Sequence, residues 1–175
     1  VLALWPFDYE ALAPDRVAAL VGATWGPMLM GEATAAPAAT GEVVQWPQVG
    51  LLGGGQWTAA QAEGKAVVAV FWSTTCPFCR RHNAHIEKLR EAAAGKPLAL
   101  ITIARDKDPQ AVQRYLERQG WRFPVTLEAA PMSAALSTRN VIPLTVTVDR
   151  HGRLLQVIPG EMFEEDVLDL LKLSA

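Results

Sequence analysis

Residues Ala66–Trp72 read AVVAVFW, seven apolar positions in a row with no polar interruption. A strand with one wet face would alternate, so this run suits a strand buried on both faces, and such a strand needs cover on each side. Cys76 follows four residues after Trp72. Pro77 then fits the first turn of a helix, where its missing N–H is not needed. That helix is predicted to run to about Ala94, with Gly95 at its end and Pro97 barring continuation. The chain is thereby committed to a strand–turn–helix unit with a cysteine at the turn.

The rest of the pattern extends this unit. Leu98–Ile103 (LALITI) reads as a second buried strand. Pro109–Gln119 reads as a helix with Asp108 as its cap and Gly120 as its stop. Phe123–Leu127 is a short strand and Met132–Leu136 a short helix. Thr145–Val148 and Leu154–Ile158 form a hairpin around Arg150-His151-Gly152-Arg153, and Glu164–Leu173 is a terminal helix. Val43–Trp46 is a candidate strand, and Gly53-Gly54-Gly55 a turn leading to Gln56–Thr58. Early β/α alternation followed by a hairpin predicts an α/β fold, with a mixed central sheet and helices on both faces.

Residues 1–40 have a different texture. A short helix is expected over Asp15–Trp25, and Ala33–Thr40 (ATAAPAAT) reads as a linker. The division expected is 1–40 as an extension or linker and 41–175 as the domain. The first residue is Val, so a processed or truncated chain is expected, with a removed signal peptide or anchor as one explanation and cloning as another. Sixteen Lys and Arg face 18 Asp and Glu, so no basic surface of the kind that binds nucleic acid is expected.

The only two cysteines are Cys76 and Cys79. A bridge between them closes a tiny loop and removes little chain entropy, so reactivity or metal binding explains the pair better than stability does. At a helix N-terminus the backbone N–H groups carry partial positive charge. A thiolate at Cys76 would be favoured there. Cys79 lies one turn further in, less exposed and about 5–6 Å away. Cys76 could then attack a partner disulfide, and Cys79 could attack the resulting mixed disulfide. The spacing continues to His82 and His85, which raises a zinc site. Steps of three drift by about 60° each along a helix, however, so the four cannot close a tetrahedron from one helix.

Phe71-Trp72-Ser73-Thr74-Thr75-Cys76-Pro77-Phe78-Cys79-Arg80 resembles the active-site segment of TlpA/ResA-like thioredoxins. Gly64-Lys65 resembles that family's entry to the central strand. Ile142-Pro143 with Thr145–Arg153 is similar to its VPTTFLIDRDGR stretch, and Gly160-Glu161-Met162 resembles its turn before the last helix. The resemblance covers roughly residues 43–173. It implies a thioredoxin-like three-layer fold and a cis Pro143 facing the cysteines. The backbone of Ile142 would then be free to pair with an extended substrate. Read from the residues alone, Pro143 would merely begin an edge strand. Trp72, Thr75, Pro77 and Phe78 join Ile142 and Pro143 as candidate substrate contacts. In that resemblance Cys76 would be the attacking and Cys79 the resolving catalytic residue.

The chain also departs from the pattern. Thr75 stands where the family usually has Trp, and Ala84 where a helix proline is common. Val70 stands where thioredoxin has a buried Asp. His82 occupies the position of a Glu that serves ResA-type proteins as a buried acid–base group, which makes His82 a candidate proton acceptor for Cys79. His85 and His151 are read as helix-face and turn residues.

What the resemblance implies is an extracytoplasmic thiol–disulfide oxidoreductase, a reductase of protein disulfides serving cytochrome c maturation or a related task. Its partners would be protein thiols and disulfides and a membrane-bound electron donor. A periplasmic location, anchoring through a segment missing from this chain, a monomeric state and no cofactor or metal are expected. Two other readings stay open: a copper-binding thioredoxin-fold module using Cys76, Cys79 and His82, and a peroxide-reducing redoxin, against which stands the absence of a PxxxTxxC motif.

Overall fold

A computed structural model describes residues 36–175. The helix expected over Asp15–Trp25 and most of the 1–40 extension lie outside the described residues. Leu98–Ala104 (β4) runs parallel to Ala66–Trp72 (β3), and Val125–Thr126 (β5) runs parallel to β4. Leu144–Val148 (β6) is antiparallel to β3, and Leu154–Pro159 (β7) is antiparallel to β6. The order is β5-β4-β3-β6-β7, so the AVVAVFW strand sits at the centre. All seven of its residues are fully buried.

Alternate residues of β3 feed two cores. Ala66, Val68, Val70 and Trp72 pack beneath Pro77–Ala92 (α2), Pro109–Gln119 (α3) and Glu164–Asp169 (α5). Val67, Ala69 and Phe71 face the opposite way, towards Met132 and Leu136 of Ala129–Leu136 (α4) and towards Trp57. Helices therefore cover both faces, the arrangement an unalternating strand demands. The fold is the mixed three-layer one expected from the pattern.

Local chemistry sets the boundaries. Pro77 and Pro109 occupy first turns. Asp108 caps α3 by accepting the Gln110 N–H at 2.9 Å. Gly120 ends α3 in the left-handed region, φ 72°, which a side chain would resist. α2 runs unbroken through Ala84.

Several boundaries differ from expectation. Val43–Trp46 is no strand: Val43 makes one isolated bridge to Arg153. The short hairpin instead pairs Val49–Gly50 (β1) with Gln56–Trp57 (β2), the register that three consecutive glycines allow. A one-turn helix, Ala59–Ala62 (α1), follows Thr58, whose N–H donates to Gln61 Oε1 at 2.7 Å. α4 begins at Ala129, before Pro131, because proline is tolerated in a first turn. The terminal helix tightens into a 3₁₀ turn over Leu170–Ser174. Pro143 does not begin an edge strand, since β6 is paired on both sides. The Ile142–Pro143 peptide bond is cis.

Candidate active site

Cys76 lies just beyond the end of β3 and is the N-cap residue of α2. Its Sγ accepts the Cys79 N–H at 3.2 Å, the position a Ser or Asp oxygen takes in an ordinary cap. The sulfur thus faces the positive end of the helix while staying partly open to solvent. Cys79, one turn on, is fully buried. Burial above all, reinforced by its hydrogen bond with the neighbouring Cys76 sulfur, pushes the Cys79 thiol up to about 12. Both cysteines are free thiols. One is reachable and the other is held back as a protonated reserve.

The turn before Cys76 is braced from the loop that follows β4. The Thr74 N–H donates to Asp106 Oδ2 at 3.1 Å, and the Thr74 hydroxyl donates to Oδ1. The Cys76 N–H donates to Ser73 O at 3.3 Å. Arg105, next to Asp106, donates to Arg139 O at 2.8 Å and to Asn140 Oδ1, tying down the segment that leads into Pro143. Neither Arg105 nor Asp106 belongs to any motif. Their only sequence signal is that polar residues closing a buried strand on the side of the cysteine turn are placed to brace it.

His82 is fully buried on α2. Its Nδ1 accepts the Met162 N–H at 3.1 Å, so the proton sits on Nε2, which lies 3.1 Å from Thr145 Oγ1 and donates to it. Burial and then the neighbouring His85 push this imidazole down to about 4, against a smaller opposing pull from Glu161. One residue earlier, Arg81 grips Glu161 with two bonds of 2.7 Å, and its guanidinium holds the Glu161 carboxyl below the usual range. The first turns of α2 are therefore fastened to the Glu161-Met162 turn at two adjacent points.

The candidate contacts separate into two groups. Thr75, Pro77 and Phe78 are exposed around Cys76, Phe78 by 56%. Ile142 is partly buried and packs against both cores. Trp72 requires a correction: it is fully buried against Tyr115 and Phe123, so it supports the site from beneath and touches no substrate. Pro143 is itself buried, with its carbonyl accepting the Gly160 N–H at 2.8 Å.

Comparison with known proteins agrees with this geometry. The Redoxin family model matches residues 32–172. The thiol-disulfide oxidoreductase ResA of Halalkalibacterium halodurans is 29% identical over 113 residues, covering 65% of this chain and 64% of that protein. The protein of the same name from Bacillus thuringiensis subsp. konkukian is 28% identical, covering 63% and 64%. The chain thus spans just under two thirds of the length of these relatives. Among solved structures, a thiol:disulfide interchange protein of the thioredoxin family from Chlorobium tepidum TLS superposes with a TM-score of 0.69 at 22% identity, covering 78% of this chain and 97% of that one. StoA from Bacillus subtilis gives 0.61 at 17% identity, covering 81% and 99%. The fold is thioredoxin-like, and the chain belongs to the Redoxin family.

Proposed function

We propose that this protein is a thiol–disulfide oxidoreductase of the ResA type, acting as a reductase of protein disulfides. The observation that carries the reading is the asymmetry of the pair: an accessible Cys76 sulfur at a helix N-terminus and a buried, protonated Cys79 one turn behind it. Cys76 thiolate attacks one sulfur of a substrate disulfide. The substrate S–S bond breaks, one substrate sulfur leaves as thiolate, and a mixed disulfide forms. Cys79 then loses its proton and attacks Cys76 Sγ, releasing the second substrate thiolate and closing the Cys76–Cys79 disulfide. Two electrons pass from the protein dithiol to the substrate. A thiol donor must restore the dithiol, and a membrane-bound one fits the resemblance to ResA.

Thr75, Pro77, Phe78 and the Ile142-Pro143 segment form the substrate-facing rim in this reading. His82 acts as a positioning residue and not as the proton acceptor for Cys79, because both of its ring nitrogens are already bonded within the protein. The same engagement argues against a copper site built on His82. An extracytoplasmic location and a role in cytochrome c maturation are parts of the proposal that rest on the motif resemblance to TlpA/ResA-like thioredoxins, and residues 41–175 as the functional domain rests on the change in sequence texture near residue 40.

The test is trapping. Reduced Cys79→Ser, incubated with a protein disulfide, should accumulate a mixed disulfide through Cys76, and Cys76→Ser should accumulate none. Failure of the reduced wild type to exchange with any disulfide would overturn the reading. A measured reduction potential of the pair, low like that of thioredoxin, supports a reductase, and one near that of DsbA supports an oxidant.

A further inference from the structure

A cleft of about 470 Å³ opens beside Cys76, bounded by Thr75, Pro77 and Arg80 on the α2 side and by Tyr115 and Arg118 on α3. The residues bordering it include two arginines and no carboxylate. Among the described residues neither Arg80 nor Arg118 has an acidic partner. The adjacent Arg81 is fully engaged by Glu161, and Arg90 by Glu87. The chain as a whole is slightly acidic, so two uncompensated cations facing one cleft are a local feature and not a reflection of overall charge. Arginine presents a planar fork that suits carboxylates.

Building on the oxidoreductase reading, we propose that this cleft is a specificity subsite for a carboxylate carried close to the disulfide that Cys76 attacks. The occupant's sulfur meets Cys76 while its acidic group lies between Arg80 and Arg118. Electron flow is unchanged: the dithiol gives two electrons to the bound disulfide, and the arginines only hold the substrate. The carboxylate could come from an acidic residue flanking a cysteine in a protein substrate or from a small acidic thiol such as glutathione, and the experiment separates these sources.

The probes are two disulfide-linked peptides, identical except that the residues flanking the cysteine are Glu in one and Gln in the other, together with oxidised glutathione and the neutral bis(2-hydroxyethyl) disulfide. Second-order rate constants are measured with reduced wild type and with Arg80→Gln/Arg118→Gln. Intrinsic differences between probes cancel when each acidic-to-neutral ratio is compared between proteins. The ratio should fall roughly tenfold in the double variant, as expected for loss of two charge-assisted contacts near a surface. In wild type it should shrink as salt rises to about 0.5 M, where the Debye length is down to a few ångströms. Arg118→Glu should lower the ratio further. A fall for the peptides assigns the subsite to protein substrates, and a fall for glutathione alone assigns it to a small thiol. A ratio that is the same in wild type and double variant for both acidic probes, or that ignores salt, overturns the subsite. If reduced wild type reacts with none of the four probes, the oxidoreductase reading itself fails.

Discussion

The Met162 backbone N–H donates into Nδ1 of His82 at 3.1 Å, so the lone pair that a proton would need is already taken. Acid must break this bond before it can charge the ring. The unfolded imidazole takes up a proton near pH 6.5 and the native one only near 4. The stability that comes with a neutral His82 is complete above pH 6.5 and is lost as pH falls from 6.5 towards 4. At about 1.4 kcal/mol per pH unit, the loss approaches about 3 kcal/mol. Urea midpoints at pH 7 and pH 4.5 should show this loss in wild type and a smaller one in His82→Gln. Gln does not titrate, and its replacement of the ring should cost about 1–3 kcal/mol at pH 7.

Cys79 should resist alkylation in the folded, reduced protein. It is fully buried, and its thiol is raised to about 12, so almost none is thiolate at neutral pH. Iodoacetamide at pH 7.5 should add one group, at Cys76, with Cys79 slower by at least about a hundredfold. In denaturant both should react at similar rates. Peptide mass mapping checks this, and equal labelling of both cysteines in the folded chain contradicts it.

Glu87 is a buried carboxylate whose Oε2 accepts the N–H groups of Arg122 at 3.0 Å and Phe123 at 3.1 Å. Its other oxygen accepts from Arg90. Glu87 joins α2 to the chain entering β5. Glu87→Ala orphans two backbone donors, and chemical denaturation should show a loss of about 2–4 kcal/mol. Glu87→Gln keeps an acceptor and should lose less.

Asp106 holds the Ser73–Thr75 turn through Thr74. Asp106→Ala frees that turn without opening a core. The exchange rate of Cys76 should fall roughly three- to tenfold, since a misplaced nucleophile reacts more slowly, and the unfolding midpoint should change little. A large stability loss with an unchanged rate would reverse this assignment.

Features whose cause is local were legible from the residues. The AVVAVFW run, the prolines in the first turns of α2 and α3, and Gly120 each act within a few residues, and those elements lie where the pattern puts them. The one-turn helix after Thr58 also had a local signal in the Thr58-x-x-Gln61 spacing. Val43–Trp46 misled because apolar composition marks burial without saying what pairs: Val44 and Trp46 pack into a core while the ladder forms further on. At the site, the two cysteines were legible from spacing. The Met162 amide on His82 and Asp106 on Thr74 join residues 80 and 32 positions apart, and no periodicity announces such contacts. Trp72 was legible as apolar but not as the floor beneath the cysteines and not their rim.

The pairing of Phe71 with Leu144 in the β3–β6 register has a consequence for how the molecule tolerates change. It brings the end of one strand and the start of another side by side, so the cysteine turn and the Ile142-Pro143 segment meet by adjacency in the sheet. Beyond β4, which lies on the other side of β3, the stretch of residues 105–141 returns to the ladder only through the two residues of β5. Extra length spliced into its outer bend near Gly120 therefore leaves the alignment of Phe71 and Leu144 as it was. The molecule has room to grow new surface beside Arg118 while the spacing of its two reactive strands stays fixed.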